Sequence, residues 1–497
     1  MKYKITFAEE GISVLAEEGI TVFEAQIQAG LTPDAYCGGK GKCGKCKVVI
    51  EGQEVLACQT AVQKDMTVYT GHKKEEAQIL VSGTGKRVPF APGKLPGELK
   101  KPLLGAVDIG STSVVAYLMD GRNGALIGTK SALNPQRQFG ADVVNRCSYA
   151  MENGAEILSG CIRSTVNILF RELAKEAERV PEDIVRIVMV GNSCMHHLFL
   201  EIPTKKLALA PYTPEVTNAL ELKASDYGIH VHPNAQLWWL PNIGGFVGAD
   251  TVGCLVASDM DTNEKMTLLI DIGTNGELVL GNRDGMISCS TAAGPAFEGA
   301  KITCGMRGSA GAIDHVRIKD GELKAHVIGG GEALGICGSG LLDGAACLLK
   351  QGRIDETGRL TEPYYFTSRV FLNQRDIREL QLAKAAIAAG IQILCQKKGI
   401  RTEDIERVLI AGAFGNYLDP ASACAIGMLP SVLLDRITSI GNAAGEGARI
   451  AAVNREQFER SKALAEKTEF VELALDVEFQ EVYVDEMGFP EEEEHGE

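Results

Sequence analysis

The sequence runs to 497 residues, with 50 basic and 65 acidic side chains and a formal charge of −15. That acidic balance argues against a nucleic-acid binder, whose footprint is basic, and against docking to an anionic membrane. No apolar run reaches the ~18 residues of a transmembrane helix, Met1 to Glu10 lacks the basic-then-apolar order of a signal peptide, and the expected location is cytoplasmic.

At about 100–200 residues per domain, the length predicts roughly three domains. Residues 1–78 read as a small α+β unit. Lys4–Phe7 and Gly19–Val22 are expected to pair as a hairpin. Phe23–Ala29 fits a short helix ended by Gly30, and Lys47–Ile50 with Val55–Ala57 flank a Glu51-Gly52 turn. Residues 79–102 hold Pro89, Pro92, Pro96 and Pro102 among glycines and basic residues. Such composition resists helix and sheet, so a flexible linker is expected there.

From Leu103 the pattern is α/β and internally duplicated. Leu104–Thr112 is echoed by Leu268–Asn275. Each is an apolar strand that turns at glycine and resumes as a second strand, Val114–Leu118 or Glu277–Leu280. Pro181–Gly191 is likewise echoed by Thr402–Gly412, and a helical stretch precedes each (Cys161–Glu178 and Leu382–Lys398). Two equivalent subdomains, 103–265 and 266–485, the latter including a closing C-terminal segment, should therefore face each other across a cleft. Residues 486–497 read as an acidic tail, whose charge run Glu491 to Glu494 is expected to be solvated.

Ten of the 14 cysteines are scattered from Cys147 to Cys424, mostly in apolar surroundings. They read as small buried hydrophobes, and a disulfide framework is not expected without an export signal. The other four are clustered: Cys37-Gly-Gly-Lys-Gly-Lys-Cys43-Gly-Lys-Cys46, then Cys58. Four thiolates are the usual complement of an iron–sulfur cluster, and glycines let the backbone approach closely. Lys40, Lys42 and Lys45 would offset its negative charge and could present it to an acidic partner. The rival reading is structural zinc, since Cys43-x-x-Cys46 fits one knuckle, but Cys58 has no second knuckle. A thioredoxin-like motif lacks its βαβ setting.

Asp108-x-Gly110-Ser111-Thr112-Ser113 and Asp271-x-Gly273-Thr274-Asn275 have the chemistry of nucleotide clamps. Backbone N–H groups of a tight turn hold phosphate oxygens, and hydroxyls add hydrogen bonds. Asp108 and Asp271 can hold Mg²⁺ through waters or position an attacking water. Gly412-Ala413-Phe414-Gly415 ends a buried strand where an adenosine would lie. No Gly-x-x-x-x-Gly-Lys-Ser/Thr occurs, which excludes a P-loop. The set resembles the actin, sugar kinase and Hsp70 ATPase superfamily, and that likeness implies two RNase H-like halves closing on Mg-ATP.

The cysteine pattern resembles the ferredoxin-like domains of some reductases and reductive activators, which implies a β-grasp fold and a 2Fe–2S cluster. Together with the ATPase motifs, the chain resembles the reductive activators of corrinoid proteins over nearly its whole length. The resemblance extends to Asn134-Pro-Gln136, Asn192 to His197, Pro241 to Asp250, Ala293 to Gly299, Gly335 to Gly340, Gln374 to Lys384 and Ile440 to Ala448. Longer members carry a further domain where only residues 79–102 stand here, and some carry C-terminal cysteine motifs, whereas no cysteine follows Cys424. The function so implied is ATP-dependent electron transfer, one electron passing from the cluster to return a methyltransferase system's corrinoid from cobalt(II) to cobalt(I). Its partners would be a corrinoid protein and an electron donor to the cluster.

Three further positions are weighed beside these. His196-His197 read as core or turn packing, against a role in nucleotide or partner contact. Glu298 either faces the ATP cleft as a catalytic carboxylate or closes a turn. Ser288 or Ser290 could approach cobalt, or simply end a strand. Competing functions are a sugar or small-acid kinase, which leaves the cysteines without purpose, an ATP-gated redox sensor, and an activator of another low-potential metalloenzyme.

Overall fold

The computed structural model describes every residue except 32, 34–36, 43, 71–82, 98, 141 and 492–497, together with all but the Ala413 side chain. Counts below refer to the described residues. Cys43 and the end of the acidic tail lie outside them.

In the N-terminal unit, β1 (Lys2–Phe7) pairs antiparallel with β2 (Ile12–Glu17). The expected partner, Gly19–Val22, is not a strand. Thr21 instead caps α1 (Val22–Gln28): its hydroxyl accepts from Glu24 N at 3.1 Å, and Glu24 Oε2 accepts from Thr21 N at 2.7 Å. This capping box satisfies two helix donors that a strand would have left free. β3 (Lys47–Ile50) and β4 (Gln53–Leu56) form a hairpin, whose turn residues Glu51 and Gly52 both have positive φ (52° and 79°). Ala57 opens a 3₁₀ turn that carries Cys58. β5 (Met66–Tyr69) runs parallel to β1, completing a sheet of order β2-β1-β5-β3-β4. Phe23 and Ala25 of α1 pack into it with Ile5, Phe7, Val48 and Val68.

The first half of the larger unit comprises β6 (Leu103–Ile109), β7 (Ser113–Asp120), β8 (Leu126–Leu133), α2 (Val143–Asn153), α3 (Glu156–Glu176), β9 (Ile184–Gly191), α4 (Ser193–Leu200), α5 (Lys205–Ala208), β10 (Leu220–Lys223), β11 (Gln236–Trp239) and α6 (Ala249–Ala257). The second comprises β12 (Thr267–Ile272), β13 (Gly276–Asn282), β14 (Gly285–Thr291), β15 (Ala312–Lys319), β16 (Glu322–Val327), β17 (Gly335–Ile336), α7 (Gly338–Lys350), β18 (Tyr364–Tyr365), β19 (Phe371–Leu372), α8 (Gln374–Lys398), β20 (Arg407–Ala411), α9 (Gly412–Tyr417), α10 (Pro420–Ala425), β21 (Ile437–Gly441), α11 (Ala443–Val453), α12 (Arg455–Lys467), β22 (Thr468–Phe470) and α13 (Val477–Asp485).

The duplication is visible in the sheets, ordered β10-β11-β9-β6-β7-β8 and β21-β20-β12-β13-β14-β22. In each, three consecutive strands form an antiparallel meander, and two later strands add parallel to the first. β6 and β12 are thus central and nearly wholly buried, and their sequences read as continuous apolar runs for that reason. They end at Asp108-Ile109 and Asp271-Ile272, so both aspartates emerge at the same edge of their sheets.

Three expectations need correction. α11 and α12 fall within 266–485, but Ala443, Ala448, Ile450, Phe458 and Leu464 belong to the core of the first half. The chain crosses back to cover β6 and α6 before β22 rejoins the second sheet. Secondly, the described part of 79–102 is a pinned strap. Lys86 Nζ meets Val256 O (3.0 Å), Ser258 O (3.2 Å) and Asp259 Oδ1 (2.8 Å). Asn454 Nδ2 donates to Pro89 O (3.0 Å), and Ala91 N to Val453 O (3.0 Å). The buried guanidinium of Arg186, stacked on Trp238, finds its acceptors in Pro92 O and Lys94 O. Thirdly, residues 486–490 are docked: the nearly inaccessible Lys384 donates to Gly488 O, and Phe489 is buried. A sequence rich in proline or acid is fixed in both places because buried polar groups of the body require its carbonyls.

Candidate functional site

The two halves enclose a cavity of about 480 Å³. Asp108, Gly110, Ser111, Thr112 and Ser113 line it from the first half, and Asp271, Gly273, Thr274, Asn275, Glu298, Gly412 and Phe414 from the second. Each hairpin is closed by one backbone bond of 2.9 Å, Gly110 N to Ser113 O and Gly273 N to Asn275 O. The second turn is one residue shorter than the first, and both present their hydroxyls to one space.

Glu298 ties them together. Thr112 Oγ1 donates to Glu298 Oε1 at 2.8 Å, and Thr274 Oγ1 to the same oxygen at 3.1 Å. Gly412 has φ 88°, and a Cβ there would stand 2.7 Å from Asp271 Oδ1, so the turn after β20 is closed to side chains. Phe414 stacks on Phe297 with centroids 4.8 Å apart. Gly415 is not part of the lining. A Cβ on it would stand 2.3 Å from Ile410 Cγ2, so it lets α9 turn back onto its own strand.

Several groups at or behind the cavity wall went unassigned in the sequence. Asn442 donates to Asp108 Oδ2 at 3.0 Å and caps α11. Asn192 caps α4 and donates to Ser111 Oγ at 2.9 Å. The buried Arg146 holds the first hairpin through Ser111 O (2.6 Å), and burial lowers its pKa to about 10. Asp250 and Glu277 add carboxylates to the cavity wall. Asp250 and Asn442 stand in stretches quoted for the family resemblance, but a helix-cap residue carries no local mark of what its side chain reaches across the fold.

The electrostatics are those of an acidic cavity. Burial raises Asp108 to about 7, with help from the charge of Asp271. Burial likewise raises Asp271 to about 6. Burial and then the Asp271 charge lift Asp250 to about 8, and Glu277 is pushed up by burial, Asp250 and Asp271. Four carboxylates that resist ionisation in one cavity form a site that a cation would stabilise. Among the described residues no three His, Cys, Asp or Glu side chains converge closely enough to hold a metal directly.

At the cysteine loop, Cys46 and Cys58 are buried with their Sγ atoms 3.2 Å apart, and the Ala57 N–H donating to Cys46 O (2.8 Å) brings their segments together. Cys37 is half-buried on the same loop. Gly38, Gly39, Gly41 and Gly44 all have positive φ, between 59° and 78°, a winding that only glycine adopts freely. Burial, followed by the neighbouring Cys58 and Cys37, pushes the Cys46 thiol up to about 11.

His196 and His197 are packing residues. Glu215 N donates to His197 Nε2 (2.9 Å), so Nδ1 carries the proton that faces Ser193 O (2.7 Å). Burial lowers His196 to about 3, and Asn242 Nδ2 meets its Nδ1 at 3.1 Å. Ser288 is fully buried and donates to Glu469 O at 3.2 Å across the β14–β22 seam. Ser290 donates to Glu277 Oε1 at 3.2 Å. Ser288 is thus committed inside the fold, whereas Ser290 is half-buried.

Residues 104–263 match the family model described as the RACo middle region, and residues 265–496 match that described as the C-terminal domain of RACo, the ASKHA domain. The chain is 34% identical to the corrinoid activation enzyme RamQ of Eubacterium limosum, over 97% of this chain and 98% of that one. It is 26% identical to a [Co(II) methylated amine-specific corrinoid protein] reductase of Methanosarcina barkeri, over 77% and 76% of the two chains. Among solved structures, a reductive activator for a corrinoid, iron–sulfur protein superposes with a TM-score of 0.72 at 28% identity, covering 99% of both chains. With its duplicated halves, twin hairpins and full-length likeness to these proteins, the chain belongs to the family of corrinoid activation enzymes built on the RACo middle and ASKHA regions.

Proposed function

We propose that the protein is an ATP-dependent reductive activator of a corrinoid protein, delivering one electron at a time to return cobalt(II) to cobalt(I) in a methyltransferase system. The observation that carries this reading is the pairing of two Asp-x-Gly hairpins around one acidic cavity with a cysteine loop wound by glycines. The family membership supports it.

In this reading the hairpin amides and the hydroxyls of Ser111, Thr112, Ser113 and Thr274 hold the phosphates. Asp108 and Asp271 hold Mg²⁺ through water, which offsets the cost that burial sets on their charge. Asn442 and Asn192 orient Asp108 and Ser111. Phe414 and Gly412 bound the nucleoside end. Glu298 can then accept a proton from the attacking water. Cys37, Cys46 and Cys58 suit a 2Fe–2S cluster, with Cys43 as the fourth thiolate by its place in the sequence, since Cys46 and Cys58 stand together and the loop winds through positive-φ glycines. When bound, the cluster supplies the single electron. ATP acts by biasing which conformation the protein adopts, because a ligand shifts an equilibrium only by its differential affinity for the two states.

ATP hydrolysis by the protein loaded with iron and sulfide, with and without a cobalt(II) corrinoid protein, tests this. Stimulation by the corrinoid protein is expected. Phosphorylation of a small hydroxylated substrate instead would make the protein a kinase.

A further inference from the structure

The cysteine loop is bonded to the second half of the cleft and lies against the first. On the second half, Lys45 Nζ donates to Ile302 O (3.1 Å) and Gly305 O (3.3 Å). On the first, Gly38 faces the backbone of Gln138 and Phe139, close enough that a Cβ on it would come to van der Waals distance, 3.6 Å from Phe139 O. Lys45, expected from sequence to offset cluster charge and face an acidic partner, is committed to backbone carbonyls of its own chain.

Each seat is anchored to the cavity of its own half. Asn134, at the head of the turn that carries Gln138 and Phe139, donates to Gly110 O at 2.8 Å, and its N–H donates to Thr112 O at 2.9 Å. The 302–305 seat is held by Asp376, whose Oδ1 accepts from Thr303 N (2.7 Å) and Thr303 Oγ1 (2.9 Å) while capping α8. The seat also continues directly from Glu298. Both seats are therefore stiff, and the span between them follows the opening of the cleft.

We propose that the cysteine loop is a clasp across the two halves, with Gly38 on Gln138–Phe139 and Lys45 on Ile302 and Gly305, and that nucleotide entering the cleft releases it. The proposal rests on the nucleotide reading above. Thr112 and Thr274 now spend their hydroxyls on the Glu298 carboxylate, at the point where the hairpins would grip phosphate. An anionic phosphate cannot share that point with a carboxylate. Glu298 must withdraw, the spacing of the hairpins changes, and the seats move with them. Linkage makes the effect reciprocal: a closed clasp weakens nucleotide binding as much as nucleotide weakens the clasp. The clasp thus holds the cysteine loop against its own ATPase until nucleotide is bound, and then frees it towards a partner.

The test uses the full-length, iron–sulfur-loaded protein, its Lys45→Ala variant, and Lys47→Ala as a charge control. Lys47 pairs with Glu54 on the same small unit. Hydrogen exchange is followed in residues 135–140 and 299–307, and affinity for a non-hydrolysable Mg-ATP analogue is measured by calorimetry. Lys45→Ala should speed exchange at both seats without nucleotide and tighten analogue binding about fivefold or more, a typical coupling. Lys47→Ala should match the wild type in both. Identical exchange and affinity in wild type and Lys45→Ala would overturn the clasp. No binding of the analogue by the wild type would overturn the nucleotide reading and the release step with it, while the exchange comparison still decides whether the seat exists.

Discussion

Thr112 Oγ1 lies 2.8 Å from Glu298 Oε1, and this hydrogen bond joins the Gly110–Ser113 hairpin of one half to a loop of the other. With Thr274 on the same oxygen, it places a carboxylate between the two turns and makes Glu298 the group best placed to report both occupancy and chemistry. Glu298→Gln should lower ATP hydrolysis by roughly 10²-fold or more, the range of a lost general base, while analogue affinity changes by less than tenfold. Steady-state turnover with calorimetry separates the two. Normal turnover with lost affinity would make Glu298 a positioning residue only.

The acidic cavity predicts a pH dependence with a definite sign. Asp108, Asp271 and Asp250 have folded-state pKa values raised to about 7, 6 and 8. Between about pH 4 and pH 8 the folded protein therefore holds more protons at these groups than the unfolded chain, and their contribution to stability falls as pH rises. Without Mg-nucleotide, the unfolding midpoint should drop by roughly 5 °C or more from pH 5.5 to pH 8. Mg-ATP analogue should restore more at pH 8 than at pH 5.5, because the cation competes with protons for the same oxygens. A midpoint that rises with pH in the absence of Mg²⁺ would contradict this electrostatic picture.

Gly338 opens α7 where a Cβ would stand 2.0 Å from Phe297 O and 2.7 Å from Phe414 Cε2. Gly338→Ala must push apart the stacked Phe297–Phe414 pair, which the proposed reading puts at the nucleoside end. The expected cost is about 1–3 kcal/mol of stability, as for other overpacked sites, with a raised KM for ATP. Thermal unfolding and kinetics on one preparation check both, and an unchanged KM would remove Phe297 and Phe414 from the nucleotide site.

Cys58→Ser should abolish the iron–sulfur absorbance and cobalt reduction, yet leave analogue binding within a factor of about three, since Cys58 lies in a separate core built on the N-terminal sheet. Ser288→Ala should leave the cobalt spectra of the partner complex unaltered, because Ser288 Oγ is committed to Glu469 O.

The strand–turn–strand repeats were legible because buried central strands write themselves as apolar runs ended by Asp-x-Gly, and both hairpins stand where that pattern puts them. The cysteine loop was legible from its glycines. Contacts between distant segments were not. The hydrogen bond from Asn442 to Asp108 and the hold of Arg146 on Ser111 are made by a cap residue and an arginine whose local sequence carries no sign of the partner. Prolines in 83–102 signalled the absence of regular structure, but not the buried Arg186 that pins their carbonyls. Likewise Gly19–Val22 has a strand's composition, and only the reciprocal bonds of Thr21 and Glu24 turn it into a helix start.

The most direct measurement follows the cobalt(I) absorbance of a corrinoid protein. The protein is prepared without oxygen, its iron–sulfur centre is reduced, and it is mixed with the cobalt(II) form, with and without Mg-ATP. The account predicts cobalt(I) only when Mg-ATP is present, and none with Cys58→Ser. Cobalt(I) formed equally well without nucleotide, or none formed from any of several corrinoid proteins while ATP is hydrolysed and the iron–sulfur absorbance stays intact, would contradict it.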